Sequence, residues 1–240
     1  MERNRWYKDK VYDIPKETKD ILAELNGERQ LFNNVPLNTN LCYSNPEVRG
    51  KMTDAITAYC KENPNISILH FWLADGTNNH CECENCKKFY PANDVPHIFG
   101  SKDRSLLYLQ FCNKIAEEVT KKYPEAKFSV FAYNHTSMAP KGFKLHPSLV
   151  PVITYDRLNW IDPKRKAMDM ERQNSWSDIA AEVCWWDYYA SNGYVLPRIT
   201  LHHIANQLRE GYKMRVRHAF IQHTPLGLHE RTWAEGPLAY

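Results

Sequence analysis

The feature that most narrows the folds open to this sequence is the turn-taking of short, almost wholly apolar runs with longer segments whose apolar residues recur every three to four positions. Ile66 to Trp72, Phe128 to Tyr133, Val150 to Tyr155, Glu182 to Trp186 and Arg217 to Gln222 read as strands, and the first two show the pattern of strands buried on both faces. Between them lie helices. Asn45-Pro46 is an N-cap followed by proline at the first helical position, and Val48, Met52, Ala55, Ile56 and Tyr59 then share one face as far as Asn63-Pro64. Tyr108, Cys112, Ile115 and Val119 mark a second helix from about Lys102 to Tyr123. Lys164 to Ala180 is a helix with a broken apolar pattern. Pro197 opens another, with Leu201, Ile204, Ala205, Leu208 and Tyr212 on one face and Gly211 near its end.

Strands alternating with helices predict a parallel sheet with helical crossovers, either a doubly wound open sheet or a closed barrel. No Gly-x-Gly-x-x-Gly and no phosphate-binding Gly-Lys-Ser/Thr loop follows any strand, which favours the barrel. A complete barrel uses eight strands and about 250 residues. With about five strands, the expectation is an α/β fold: a partial TIM-type (β/α) barrel lacking N-terminal strands. It forms a single incomplete domain over 1–240, with 1–40 a poorly ordered entry and 74–101 a long cysteine-rich loop.

Composition excludes several classes. A net charge of +3, with basic residues interleaved among acids, leaves no nucleic-acid footprint. No apolar run approaches the ~20 residues of a membrane span, and Met1 to Lys10 lacks the apolar core of an export signal. No organic cofactor is expected.

In barrels the working residues follow the strands, at their C-terminal ends. That rule nominates Asp75 after the first strand, then Tyr133, Asn134 and His135, then Asp156 and Arg157, then Asp187 and Tyr188, and finally His223. Asp75 and Asp187 are the candidate catalytic carboxylates, because hydrolysis of a sugar bond needs one protonated carboxyl and one ionised. Each also has a structural reading, Asp75 as a turn former before Gly76 and Asp187 as a strand-end cap. Trp185, Trp186, Tyr188 and Tyr189 flank that second acid. Alternation sends Val183, Trp185 and Asp187 to one face and Cys184, Trp186 and Tyr188 to the other, so one tryptophan belongs to the core and Trp186 is the candidate sugar contact. Asp156-Arg157 is either a ligand contact or a structural pair, and His135 and His223 either bind substrate or only donate hydrogen bonds.

Cys81-Glu-Cys83-Glu-Asn-Cys86 crowds three thiols into the loop after Asp75, too close together for a disulfide framework. Such a set suits a structural zinc ion, which takes four Cys or His ligands in a closed tetrahedron. His80 is the adjacent fourth candidate, and His97, Cys42 and Cys112 remain alternatives. A metal here would staple the loop beside Asp75 rather than perform catalysis.

Leu41-Cys-Tyr-Ser-Asn-Pro-Glu-Val-Arg49, the Asp75-Gly loop leading into the cysteines, Gly100-Ser-Lys-Asp-Arg104, Glu117 to Pro124 and Trp186-Asp187-Tyr188 together resemble the bacterial domain of unknown function 4838. That family occurs in large carbohydrate-degrading proteins and is similar in layout to α-glucuronidase-type hydrolases. The likeness runs from about Leu22 onward. It implies a TIM-like barrel, a carbohydrate substrate or ligand, and a setting outside the cytoplasm or in the periplasm. Many members have an acidic residue after the last strand, where this chain reads Ala219-Phe-Ile-Gln-His223. The competing expectation is therefore a non-catalytic carbohydrate-binding or scaffold barrel.

Overall fold

The structure, a computed structural model, describes residues 16–34, 39–66, 68–74, 79–93, 101–190 and 201–223. The chain falls into two compact units, Met1–Leu149 and Val150–Tyr240.

The first unit opens with one helical turn, α1 (Lys16–Lys19), and a small antiparallel hairpin of β1 (Glu24–Leu25) and β2 (Glu28–Arg29). Asn26 and Gly27 make its turn, both at positive φ, which Asn and Gly tolerate best. Helix α2 (Pro46–Glu62) starts as the sequence dictates: the Asn45 side chain accepts from the Glu47 amide at 2.9 Å and Pro46 needs no partner for a missing N–H. Strand β3 (Leu69–Phe71), the short helix α3 (Glu84–Lys87), helix α4 (Ser105–Thr120) and strand β4 (Phe128–Ala132) follow. β3 and β4 are parallel, with Leu69 opposite Phe128 and Phe71 opposite Val130. The core lies on one face of this pair. Phe128, Val130 and Ala132 are fully buried, and Phe71 stacks on Phe128 with centroids 4.9 Å apart. Phe111, Cys112, Ile115, Ala116 and Val119 form the buried stripe of α4. Each of the larger residues contributes roughly 1.5–3 kcal/mol by leaving water.

In the second unit, β5 (Leu149–Thr154), β6 (Val183–Ala190) and β7 (Val216–His223) are parallel neighbours, with Val152 opposite Cys184 and Trp185 opposite Ala219. Helix α5 (Pro163–Ile179) connects the first two of these strands. Its N-cap, Asp162, accepts from the amides of Lys164 and Arg165. Helix α6 (Leu201–Lys213) precedes β7. Gly211 lets α6 approach β6: a Cβ there would stand 2.5 Å from the Trp185 ring.

The fold is thus mixed α/β, with parallel strands joined through helices, as the alternation predicts. Among the described residues neither unit closes into a barrel. Nor is any helix among them long and apolar enough to cross a membrane.

The faces of β6 follow the predicted alternation. Val183, Trp185 and Asp187 are buried, while Cys184, Trp186 and Tyr188 are half-buried. The pattern of α5 is broken because its buried face, Asp169, Arg172, Gln173 and Trp176, is largely polar at helical spacing.

Candidate functional site

At the C-terminal ends of β3 and β4 the first unit has a small hollow lined by Leu73, Ala74, His80, Phe131, Tyr133, Asn134 and His135. The parallel strands put these residues there, since both chains run out of the sheet at the same end. Beyond Tyr133 the chain tightens into a 3-10 turn, Asn134–Thr136, entered through a left-handed Asn134 (φ 46). That turn buries His135, whose Nδ1 lies 2.9 Å from the Lys102 carbonyl. A carbonyl only accepts, so Nδ1 carries a proton and a neutral ring would leave Nε2 as an acceptor. The His80 ring meets that of His135 edge-on, with centroids 3.9 Å apart. Burial, then the neighbouring charges of His135 and Arg104, hold the His80 pKa well below the ordinary histidine range. A ring so placed is a neutral hydrogen-bonding group.

Trp72, which the strand-end rule passed over, extends the same sheet face. Its ring stacks on Phe131 at 4.7 Å and its Nε1 donates to Ser129 Oγ at 3.0 Å. Asp75 lies outside the described residues. Ala74, immediately before it, lines the hollow.

Beside His80 the chain turns into a buried cluster of four thiols, Cys42, Cys81, Cys83 and Cys86, with all sulfurs within 4.8 Å of one another. Cys42 supplies the fourth sulfur; His80 faces His135 instead, Cys112 packs inside α4, and His97 lies outside the described residues. Cys42 stands 3.7 Å from the Cys83 sulfur and 3.8 Å from that of Cys86. Sulfurs bonded ~2.3 Å from one central ion would form a tetrahedron with edges of ~3.8 Å, so the set fits a single metal ion.

The surroundings suit thiolates. The Glu24 amide points at Cys81 Sγ at 3.3 Å, the Arg29 guanidinium lies 4.0 Å from the same sulfur, and Ser44 Oγ is 3.1 Å from Cys86 Sγ. Ala23, Leu107, Tyr43, Phe89 and Tyr90 wrap the cluster in apolar surface. A Cys42 thiolate, favoured by hydrogen bonds from Cys81 and Cys86, pushes the Cys81 thiol up to about 11 and that of Cys86 higher still. Four sulfurs this close do not all ionise without a cation.

In the second unit Asp187 is buried. Its carboxylate accepts from the Arg157 amide at 3.1 Å, Arg157 Nη1 at 3.1 Å and the Tyr188 amide at 2.8 Å. Arg157, itself buried, also pairs with Asp169 at 3.3 Å, donates to the Ile153 carbonyl and lies over the Trp185 ring at 4.0 Å. Asp169 pairs in turn with Arg172 at 2.6 Å and accepts from Trp160. Two arginines and two aspartates therefore cancel. Burial pushes the Asp187 pKa up, with Arg157 and the two amides acting against it. Asp156 is a cap, accepting from the Leu158 amide. Trp186 donates to Gln222 at 3.0 Å and packs on Phe220 at 4.2 Å; Tyr188 shares that half-buried face. His223 ends β7, and its side chain lies outside the described residues.

The sequence rule thus finds Tyr133, Asn134 and His135 together at one hollow, with His80 joining them. It missed Trp72, and it gave Cys42 only as one of several alternatives. The signal for Cys42 was its place in the Leu41 to Arg49 segment.

A family model described as a domain of unknown function (DUF4838) matches residues 13–237. Comparison with curated proteins and with solved structures returns no match.

Proposed function

This chain belongs to the DUF4838 family, and on that footing we propose that it is a glycoside hydrolase-like protein that takes an oligosaccharide or polysaccharide at the strand ends of a TIM-type barrel. The observation that carries this reading is the hollow where His80, Tyr133, Asn134 and His135 offer polar groups beside the flat ring of Phe131 and the apolar Leu73. Sugars present the same pairing of hydroxyls and apolar ring faces, and binding sites of this kind combine an apolar lining with a few convergent polar groups. Asp75, directly after Ala74 in the chain, is the carboxylate assigned to acid/base work. Asp187, in the second unit, is the other carboxylate that the strand-end rule nominates. The work is assigned to the extracytoplasmic setting that the family resemblance implies.

A zinc ion held by Cys42, Cys81, Cys83 and Cys86 belongs to this reading as a structural staple. Four protein sulfurs fill a tetrahedron, leaving no open position for substrate, and the apolar wrapping keeps water away. Zinc would supply the charge that lets all four thiols ionise.

The second reading is a carbohydrate-binding barrel without turnover. It is favoured by the engagement of Asp187 with Arg157 and two amides, and by the family resemblance, which implies an acid after the last strand where this chain reads Ala219 to His223.

A panel of oligosaccharides, scored for retention and for release of reducing ends, tests both readings. Asp75→Asn should abolish release while keeping retention, and Tyr133→Ala should weaken retention. Retention without release in the wild-type chain moves the assignment to the binding reading. No retention of any member, or retention indifferent to Tyr133→Ala and Asn134→Ala, removes the hollow as the sugar site.

A further inference from the structure

One buried side chain links the four-thiol cluster to the hollow. Asn40, 2% exposed, lies two residues before Cys42. Its Oδ1 accepts the Ala74 amide at 3.1 Å and the Tyr43 hydroxyl at 3.1 Å, and its Nδ2 donates to the Asn79 carbonyl at 3.1 Å. The amide orientation is fixed by its partners, because an N–H can only donate and a carbonyl can only accept. The Asn40 carbonyl accepts the Ala23 amide at 2.9 Å, and the Cys42 amide donates to the Ile21 carbonyl at 2.9 Å, so the backbone around it is tied down as well.

Ala74 and Asn79 are the last described residues on either side of the segment that carries Asp75. Ala74 lines the hollow, Asn79 is followed by His80, which also lines it, and Cys81 comes next. Asn40 therefore holds both ends of the Asp75 segment, and its own position is set two residues away by one metal-type sulfur. The other end is set two residues away by a second.

We propose that Asn40 is a positioning residue that transmits the geometry of the metal-bound cluster to the hollow, so that metal occupancy fixes the backbone on both sides of Asp75. This rests on the metal reading above. An amide is required because an ionised aspartate has no hydrogen to give Asn79, and an apolar side chain would take from a half-buried N–H and a buried carbonyl the partner that Asn40 supplies.

The experiment is amide hydrogen exchange on the full chain, with metal content measured in parallel. Asn40→Ala should retain one metal per chain yet exchange the Ala74 amide about tenfold faster, the effect of losing one half-buried hydrogen bond. Asn40→Asp should restore the slow Ala74 exchange, because a carboxylate still accepts there, while leaving the 79–81 segment faster than wild type. Stripping the metal from the wild-type chain with a chelator should speed Ala74 as Asn40→Ala does. A purified chain that holds no zinc and takes up none brings down the metal reading and this coupling together. Zinc at one per chain with Ala74 exchange indifferent to chelation, or to Asn40→Ala, sinks the coupling alone. An Asn40→Ala chain that loses its zinc overturns it too, because Asn40 would then be part of what builds the cluster.

Discussion

The two units each bury a polar cluster close to the ends of parallel strands, and the clusters are opposite in kind. In the second unit Arg157, Arg172, Asp169 and Asp187 are closed on themselves: two positive and two negative charges, with further contacts to Ile153, Thr154 and Trp160. In the first unit four thiols converge beside Arg29, itself paired with Glu24, and a Cys42 thiolate pushes the Cys81 and Cys86 thiols up. A buried charge must be paired or coordinated. The second unit carries its own counter-ions in the sequence; under the proposed metal reading the first would take one from solution.

That contrast can be broken most forcefully at Cys42. Cys42→Ser should lower bound metal from one per chain to near none and unfold the first unit's cysteine loop. Metal binding of this type is itself folding free energy, on the order of 10 kcal/mol in small zinc-dependent peptides. Cys112→Ser, which removes a buried thiol outside the cluster, should keep the metal. Elemental analysis of the two variants decides the point, and equal metal in both would remove the cluster as the ligand set.

The second unit should break by loss of a partner instead. Arg157→Met leaves Asp187 and part of Asp169 uncompensated, so urea unfolding should show a loss of about 3–5 kcal/mol. Combining it with Asp187→Leu should recover a large share, because what costs most is the stranded charge rather than the missing pair. A double variant as unstable as the sum of its two singles would contradict a self-neutralising network.

A smaller effect is expected at Gly211. Alanine is normally the better helix former by about 1 kcal/mol, but here its Cβ would press on the buried Trp185 ring. Gly211→Ala should therefore destabilise by roughly 1–3 kcal/mol. A rise in the melting temperature would mean that α6 and Trp185 do not approach so closely.

The smallest effect is in the pH profile. Burial raises the Asp187 pKa in the folded chain, so the folded state binds that proton more tightly than the unfolded chain does. Its contribution to stability is fully present below the unfolded carboxylate value of about 3.9 and is lost as pH rises through the raised folded value. Asp187→Asn cannot titrate there. Its stability relative to wild type should climb as pH increases across that window, and a flat or falling difference in paired urea titrations would show that Arg157, not burial, governs the group.

The order of the parallel strands and the long helices was legible from the chain alone, since helix and strand periods are local and each segment carries its own; the short β1–β2 hairpin and α3 carry too few residues for a period to show. Asn45-Pro46 marks a helix start in so many words, and the two faces of β6 could be read residue by residue. The closely spaced thiols Cys81, Cys83 and Cys86 were equally visible. What tertiary structure alone decided is which distant groups meet them: Cys42 rather than His80 as the fourth member of the cluster, Arg157 around Asp187, Trp185 beneath Gly211, and Asn40 across the ends of the Asp75 segment. The polar face of α5 shows why. Asp169, Arg172 and Gln173 look like surface residues until Arg157, Thr154 and Trp185 are brought against them. Local pattern records how a segment meets water, whereas a buried charge or sulfur depends on partners whose spacing along the chain is arbitrary.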